Sequence, residues 1–183
     1  MFGLRASEVV ALDWLELGQG RGWLRVLHDR AEVTLLGSKA AQSRAERVIV
    51  PTADNPLAMA VIDRWVAHAR IASGEPLLRA VRRGGCIGAN RMHTGNVGSV
   101  VKRAMARHFQ KMGVPADTAV LQANLFSGHS GRVGMYVSAS EAGVAPQAVA
   151  ALARHVSLAM ARRYAERADM LKCAPHRATG VGV

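Results

Sequence analysis

Cysteine is nearly missing from this 183-residue chain: Cys86 and Cys173 stand apart, without metal-ligand spacing. Two isolated thiols give no disulfide framework and read as reduced residues. No apolar run reaches the roughly 20 residues that span a bilayer. The amino end also lacks the basic-then-apolar pattern of a secretory leader. A cytoplasmic protein with no membrane partner is expected. His28, His68, His93, His108 and His176 lack any His-x-x-x-His spacing with a third ligand, so neither metal nor other cofactor is expected. Gly84, Gly85 and Gly88 do not form a phosphate loop and read as a flexible turn. Trp14, Trp23 and Trp65 lie in apolar segments and read as core, which leaves no aromatic platform for RNA. There are no internal repeats. Acidic residues are also scarce, 13 against 24 Lys and Arg, for a formal net charge of +11. Such a balance favours a polyanion, nucleic acid first. Because basic residues recur along the whole length (Arg79, Arg82, Arg83, Arg91, Lys102, Arg103, Arg107, Lys111, Arg162, Arg163), a folded groove explains them better than a detachable tail.

What the chain does have is apolar content, half of all residues, which is enough for one domain with a real core. The spacing predicts a helix over Leu4–Leu12, with Arg5 and Glu8 one turn apart. Three short strands follow: Trp23–Leu27 and Glu32–Leu36 around a His28–Asp29–Arg30 turn, then Arg47–Val50 ended by Pro51. Lys39 falls in the connection between the second and third. A helix opening near Pro56 keeps its period to Ser73–Gly74. The Gly- and Arg-rich stretch Leu77–Asn96 reads as loop. A helix over Val97–Met112 is stopped by Gly113, and a loop follows. Ser127 caps a helix from His129 to Ala142, closed by Gly143. Pro146 opens a short helix to Ala153, and Ser157 caps a last one, Leu158–Met170, which carries Tyr164. The fold class expected is mainly α (α+β), a helical domain with one small three-stranded antiparallel sheet.

A set of basic and nucleophilic residues runs through these elements. Arg5 sits in FGLRASEVVAL, Lys39 in LLGSKAAQ, His129 and Arg132 in SGHSGRVG, His155 in LARHVS and Tyr164 in ARRYAE. Arg132 precedes His155 by 23 residues, and His155 precedes Tyr164 by 9. Read singly, each is bland. Arg5 with Glu8 is an ordinary surface pair, Lys39 a solvated charge, His129 and His155 helix-end histidines, and Tyr164 a core residue with a wet hydroxyl. In conjunction, the order Arg, Lys, His-x-x-Arg, His, Tyr resembles the active site of the tyrosine recombinases, and SGHS followed by Gly-Arg is similar to phage-type integrases.

The resemblance implies a DNA breaking-rejoining fold over 1–172, with 173–183 a loose tail. The expected chain is a catalytic domain without the family's first helices and its amino-terminal DNA clamp. It implies site-specific recombination of double-stranded DNA through a 3′-phosphotyrosyl link, with a homotetramer on paired sites when full length. Tyr164 is then the nucleophile, Arg5 and Arg132 the phosphate clamp, and Lys39 the proton source for the leaving oxygen. His155 donates to a nonbridging oxygen, and His129 handles a proton near the nucleophile or the phosphate. Two positions depart from the family's habit: Gly131 replaces a larger apolar residue, and Arg154 replaces a Gly before the second His. The alternative is a truncated, noncatalytic DNA-binding remnant, which the same charge supports.

Overall fold

The structure, a computed structural model, describes residues 3–37, 45–152 and 154. The chain divides into two compact units, Met1–Ser130 and Gly131–Val183.

In the first unit, helix α1 covers only Ala6–Val10. Arg5 is its extended N-cap (φ −73°, ψ 154°), and the Glu8 carboxylate reaches back to the Arg5 N–H at 2.7 Å. The helix does not continue to Leu12 as its periodicity predicts, because Leu12–Trp14 pair as strand β1. Strands β2 (Gly22–Val26), β3 (Arg30–Leu35) and β4 (Glu46–Pro51) complete a sheet in the order β1-β2-β3-β4. β1 runs parallel to β2, and the other pairs are antiparallel. The expected three-stranded antiparallel sheet is therefore four-stranded and mixed. Its extra strand is three residues long and centred on an aspartate, too short and too polar at its middle for alternation to reveal it.

That aspartate is fully buried. Asp13 accepts hydrogen bonds from the backbone N–H groups of Gly18 (2.9 Å) and Gly20 (2.7 Å), and the Arg91 guanidinium pairs with its other oxygen. Arg91 also donates to the carbonyls of Val10 (2.8 Å) and Leu12 (2.9 Å), the first of which is left open by the end of α1. The loop between β1 and β2 closes this tightly only with glycine. A Cβ on Gly18 would lie 1.8 Å from the Gly74 carbonyl oxygen, and one on Gly20 would lie 2.6 Å from Asp13 Oδ2.

The core sits on the sheet. β3 is central and buried on both faces: Ala31, Val33 and Leu35 as well as Glu32 and Thr34. β4 alternates, with Val48 and Val50 inward. Helix α2 (Pro56–Ala69) has Pro in its first turn and buries Met59 and Ala69. It ends at Arg70, in the left-handed conformation (φ 49°), rather than at the expected Ser73–Gly74. Trp65 is tied down by its indole N–H donating to the Leu77 carbonyl at 2.7 Å.

The stretch expected to be loop holds a hairpin, β5 (Arg79–Val81) and β6 (Ile87–Arg91), joined through a 3₁₀ turn at Arg83–Gly85. Helix α3 (Gly95–Lys111) ends as predicted. Gly113 takes φ 88°, and the N–H of Val114 bonds back to the Phe109 carbonyl at 3.0 Å. A further helix, α4 (Ala116–Ala123), occupies what was read as loop and packs on α3. Its buried residues are small, Ala119 and Ala123, and the Phe109 and Phe126 rings meet at 6.1 Å and 55°.

Helix α5 (Ser130–Glu141) leads into the second unit, and α6 (Pro146–Leu152) completes what is described there. Tyr136, Val149 and Ala150 form its core with Met135 and Ala139. Gly143 (φ 74°) closes α5, as the sequence predicts. The expected helix Leu158–Met170 lies outside the described residues. No helix among the described residues is long and apolar enough to cross a membrane.

Two stability measurements check this account. Asp13→Ala leaves Arg91 without its carboxylate and should lower unfolding stability by about 3 kcal/mol or more, read as a fall in the urea midpoint. A midpoint equal to the parent's would remove the pair from its structural role. Cβ atoms at Gly131 and Gly134 would meet nothing within 4 Å, and neither glycine has positive φ. Alanine at either position should therefore raise unfolding stability by about 0.4–1 kcal/mol, read as a higher urea midpoint.

Candidate functional site

Arg5 is held by Glu8 through two contacts at once. The carboxylate takes the Arg5 N–H through Oε2 and its Nη1 through Oε1, both at 2.7 Å. Glu8 is largely covered (12% exposed) while Arg5 keeps 30% of its side chain in solvent. The pair was read from sequence as an ordinary surface contact. In the fold it aims one guanidinium edge while leaving the rest available.

That guanidinium opens onto a cleft of about 310 Å³. Arg5, Ser7 and Glu8 form one wall, while Arg21, Leu36 and Gly37 lie among the other lining residues. Lys39 lies outside the described residues; along the chain it follows Gly37 by two positions.

The SGHS segment approaches α1 directly. A methyl built on Gly128 would sit 3.4 Å from Ala6 Cβ, from Val97 Cγ1 and from Gly98 N. Ala6 and Gly128 are the immediate chain neighbours of Arg5 and His129, so folding brings these two predicted residues to one place. The segment is organised by reciprocal serine contacts. Ser127 Oγ accepts the His129 N–H (3.2 Å), and Ser130 Oγ accepts the Ser127 N–H (2.8 Å). The cap assigned to Ser127 is thus present, with α5 beginning at Ser130. His129 stands exposed just ahead of the helix, and its third residue is Arg132.

Arg132 belongs to the second unit and is buried there (3% exposed). One turn further along α5 is Tyr136, also buried. His155 and Tyr164 lie outside the described residues. Among the described residues no three His, Cys, Asp or Glu side chains gather as a metal-ligand set.

Not every arginine assigned to a groove is available for one. Arg91 is spent on Asp13, and Arg79 is buried against Glu75 at 2.6 Å. The Ala72 N–H first, and Arg79 after it, hold the Glu75 carboxyl below the usual range. By contrast Arg82, Arg103 and Arg107 are exposed. They line a second cleft of about 650 Å³ between the β5–β6 hairpin and α3, over Trp65 and Met92. Sequence reasoning missed this cleft because the hairpin shows no strand alternation. It also missed Arg21, whose only signal is a basic residue between two glycines. Gly128 went unremarked for the same reason, since close backbone approach leaves no mark on a single sequence.

No protein-family model and no curated protein matches the chain. Among solved structures it is similar to the Tn1549 transposon integrase in complex with transposon right end DNA, at TM-score 0.52 and 15% identity over 94% of this chain. It is also similar to the same integrase with circular intermediate DNA, at TM-score 0.50 and 16% identity. The chain spans 56% of the length of either. At this identity the likeness is one of fold: the chain shares the fold of that integrase over 94% of its length.

Proposed function

We propose that the chain is the catalytic domain of a site-specific DNA recombinase of the tyrosine type, cutting and rejoining double-stranded DNA without metal or ATP. The observation that supports this is the Arg5 guanidinium, braced by Glu8 and lining a cleft of about 310 Å³, with the SGHS segment packed on the same helix through Gly128 and Ala6. The fold shared with an integrase solved on DNA supports the same reading, as does the net charge of +11. Phosphate chemistry needs fixed positive donors, and Arg5 with its Glu8 brace is one before any substrate arrives.

In this reading the Tyr164 phenolic oxygen bonds to phosphorus in line with the 5′ oxygen, the P–O5′ bond breaks, and a 3′-phosphotyrosyl link results. Lys39 gives the 5′ oxygen its proton, and the phenolic proton passes toward His129. Arg5 and Arg132 hold the nonbridging oxygens with His155 as a further donor, and the reverse steps reseal the strand. The phosphoester energy is kept in the link, so no nucleotide is consumed. Four copies of the full-length protein acting on paired sites in the cytoplasm complete the proposal. The exposed Arg82, Arg103 and Arg107 add positive surface for the duplex.

The test is adduct formation on a nicked DNA that traps the intermediate, followed as a mobility shift on a denaturing gel. Tyr164→Phe should abolish the adduct and leave binding intact. Arg5→Ala should slow adduct formation by about 100-fold, the loss typical of one preorganised donor. An adduct that persists in Tyr164→Phe would overturn the nucleophile. Salt-sensitive binding with no adduct from the parent would leave the noncatalytic DNA-binding remnant as the function.

A further inference from the structure

Among the described residues, the charged side chains that line the Arg5 cleft are Arg5, Glu8 and Arg21. Glu8 fixes the geometry of Arg5 but also neutralises it, so the pair brings the cleft almost no net charge. Arg21 is different. Arg5, Arg30, Arg79 and Arg91 are held in ion pairs, and among the described residues none engages Arg21. It is exposed. The net positive charge of the described cleft is therefore the guanidinium of Arg21.

Its position is fixed from both sides. The Arg21 N–H donates to the Ala11 carbonyl at 3.0 Å, and its own carbonyl accepts the Leu36 N–H at 2.8 Å. Both partners line or adjoin the cleft, so the backbone at Arg21 moves only if the end of α1 or the end of β3 moves. From this anchor the side chain extends along the cleft, with Nη2 3.9 Å from where a Gly37 Cβ would be. A guanidinium without a carboxylate, on an anchored backbone, in a cleft with one braced guanidinium already present, is the arrangement that receives a singly charged phosphodiester.

We infer that Arg21 is a substrate-binding residue that holds a nonbridging oxygen of the DNA phosphate entering the Arg5 cleft. The inference rests on the DNA-cleaving reading above and assigns that site a cation outside the Arg, Lys, His-x-x-Arg, His, Tyr series. Arg21 supplies the charge in this cleft, and Arg5 supplies direction.

The experiment measures duplex binding by the full chain across a salt series, in a Tyr164→Phe background so that no covalent product accumulates. Each phosphate contact contributes about 0.9 to the slope of log K against log salt. Arg21→Ala should flatten the slope by about that amount, and Arg21→Lys should keep it. Arg64→Ala, an exposed arginine of α2 outside both clefts, serves as the comparison. The described side chain of Arg21 carries no ion pair, so its urea midpoint should match the parent's. A slope for Arg21→Ala equal to that of Arg64→Ala would overturn the assignment while leaving the strand-transfer reading standing. Absence of DNA binding by the parent would overturn both.

Discussion

The structure of the first unit depends on one buried ion pair. Asp13 has no exposed surface, and its buried carboxyl oxygens are tolerated because both meet donors. Gly18 and Gly20 present backbone N–H groups, and Arg91 presents its guanidinium. The same guanidinium reaches the carbonyls of Val10 and Leu12, so one side chain on β6 ties together the end of α1, the strand β1 and the loop into β2. Buried pairs of this kind often add little net stability compared with an apolar substitute, because desolvation offsets attraction. What this one contributes is arrangement, since it satisfies the two charges only when these four segments come together.

The arrangement is what gives the cleft its shape. Arg5 stands at the start of α1 and Arg91 seizes its end, so the axis of a helix only five residues long is held at both termini. Ala11, the residue after that helix, then provides the carbonyl that anchors Arg21. Two guanidiniums with different duties thus hang from a segment whose position is set by a third. Arginines 79 and 91 lie on the hairpin strands and face inward to carboxylates, whereas Arg82, Arg103 and Arg107 face outward. Net charge alone does not separate these uses. Only the fold reveals which cations have been consumed.

Legibility in the sequence followed the same division. Elements announced by local chemistry were read well: Pro56 and Pro146 at helix starts, the Ser127 cap, Gly113 and Gly143 at helix ends, and the three strands with apolar alternation. Elements that exist through distant partners were not. β1 needs Arg91 and a parallel neighbour, the β5–β6 hairpin is a run of Arg and Gly without alternation, and α4 is eight residues whose buried face is alanine. Of the residues that line the candidate cleft, Arg5 was named from its place in the Arg, Lys, His-x-x-Arg, His, Tyr order. Glu8 was seen only as a surface partner, and Arg21 was not seen at all. A guanidinium with no motif around it becomes visible only when folding sets it across a cleft from another.

Under the proposed DNA-cleaving reading, Glu8 shows why a single clamp arginine is an incomplete solution for binding phosphate. A guanidinium free to rotate would meet its target in many orientations, and each ordering on binding would be opposed by side-chain entropy. Bracing it with a carboxylate removes that freedom in advance but places a negative charge beside the incoming anion. The conflict is resolved if direction and charge come from separate residues: one cation locked to an acid and spent electrostatically, another left unpaired on a rigid backbone. Arg5 with Glu8, lining the same cleft of about 310 Å³ as Arg21, is that division in its smallest form. It also accounts for an acidic residue in the wall of the cleft, since that carboxylate is engaged by the arginine beside it.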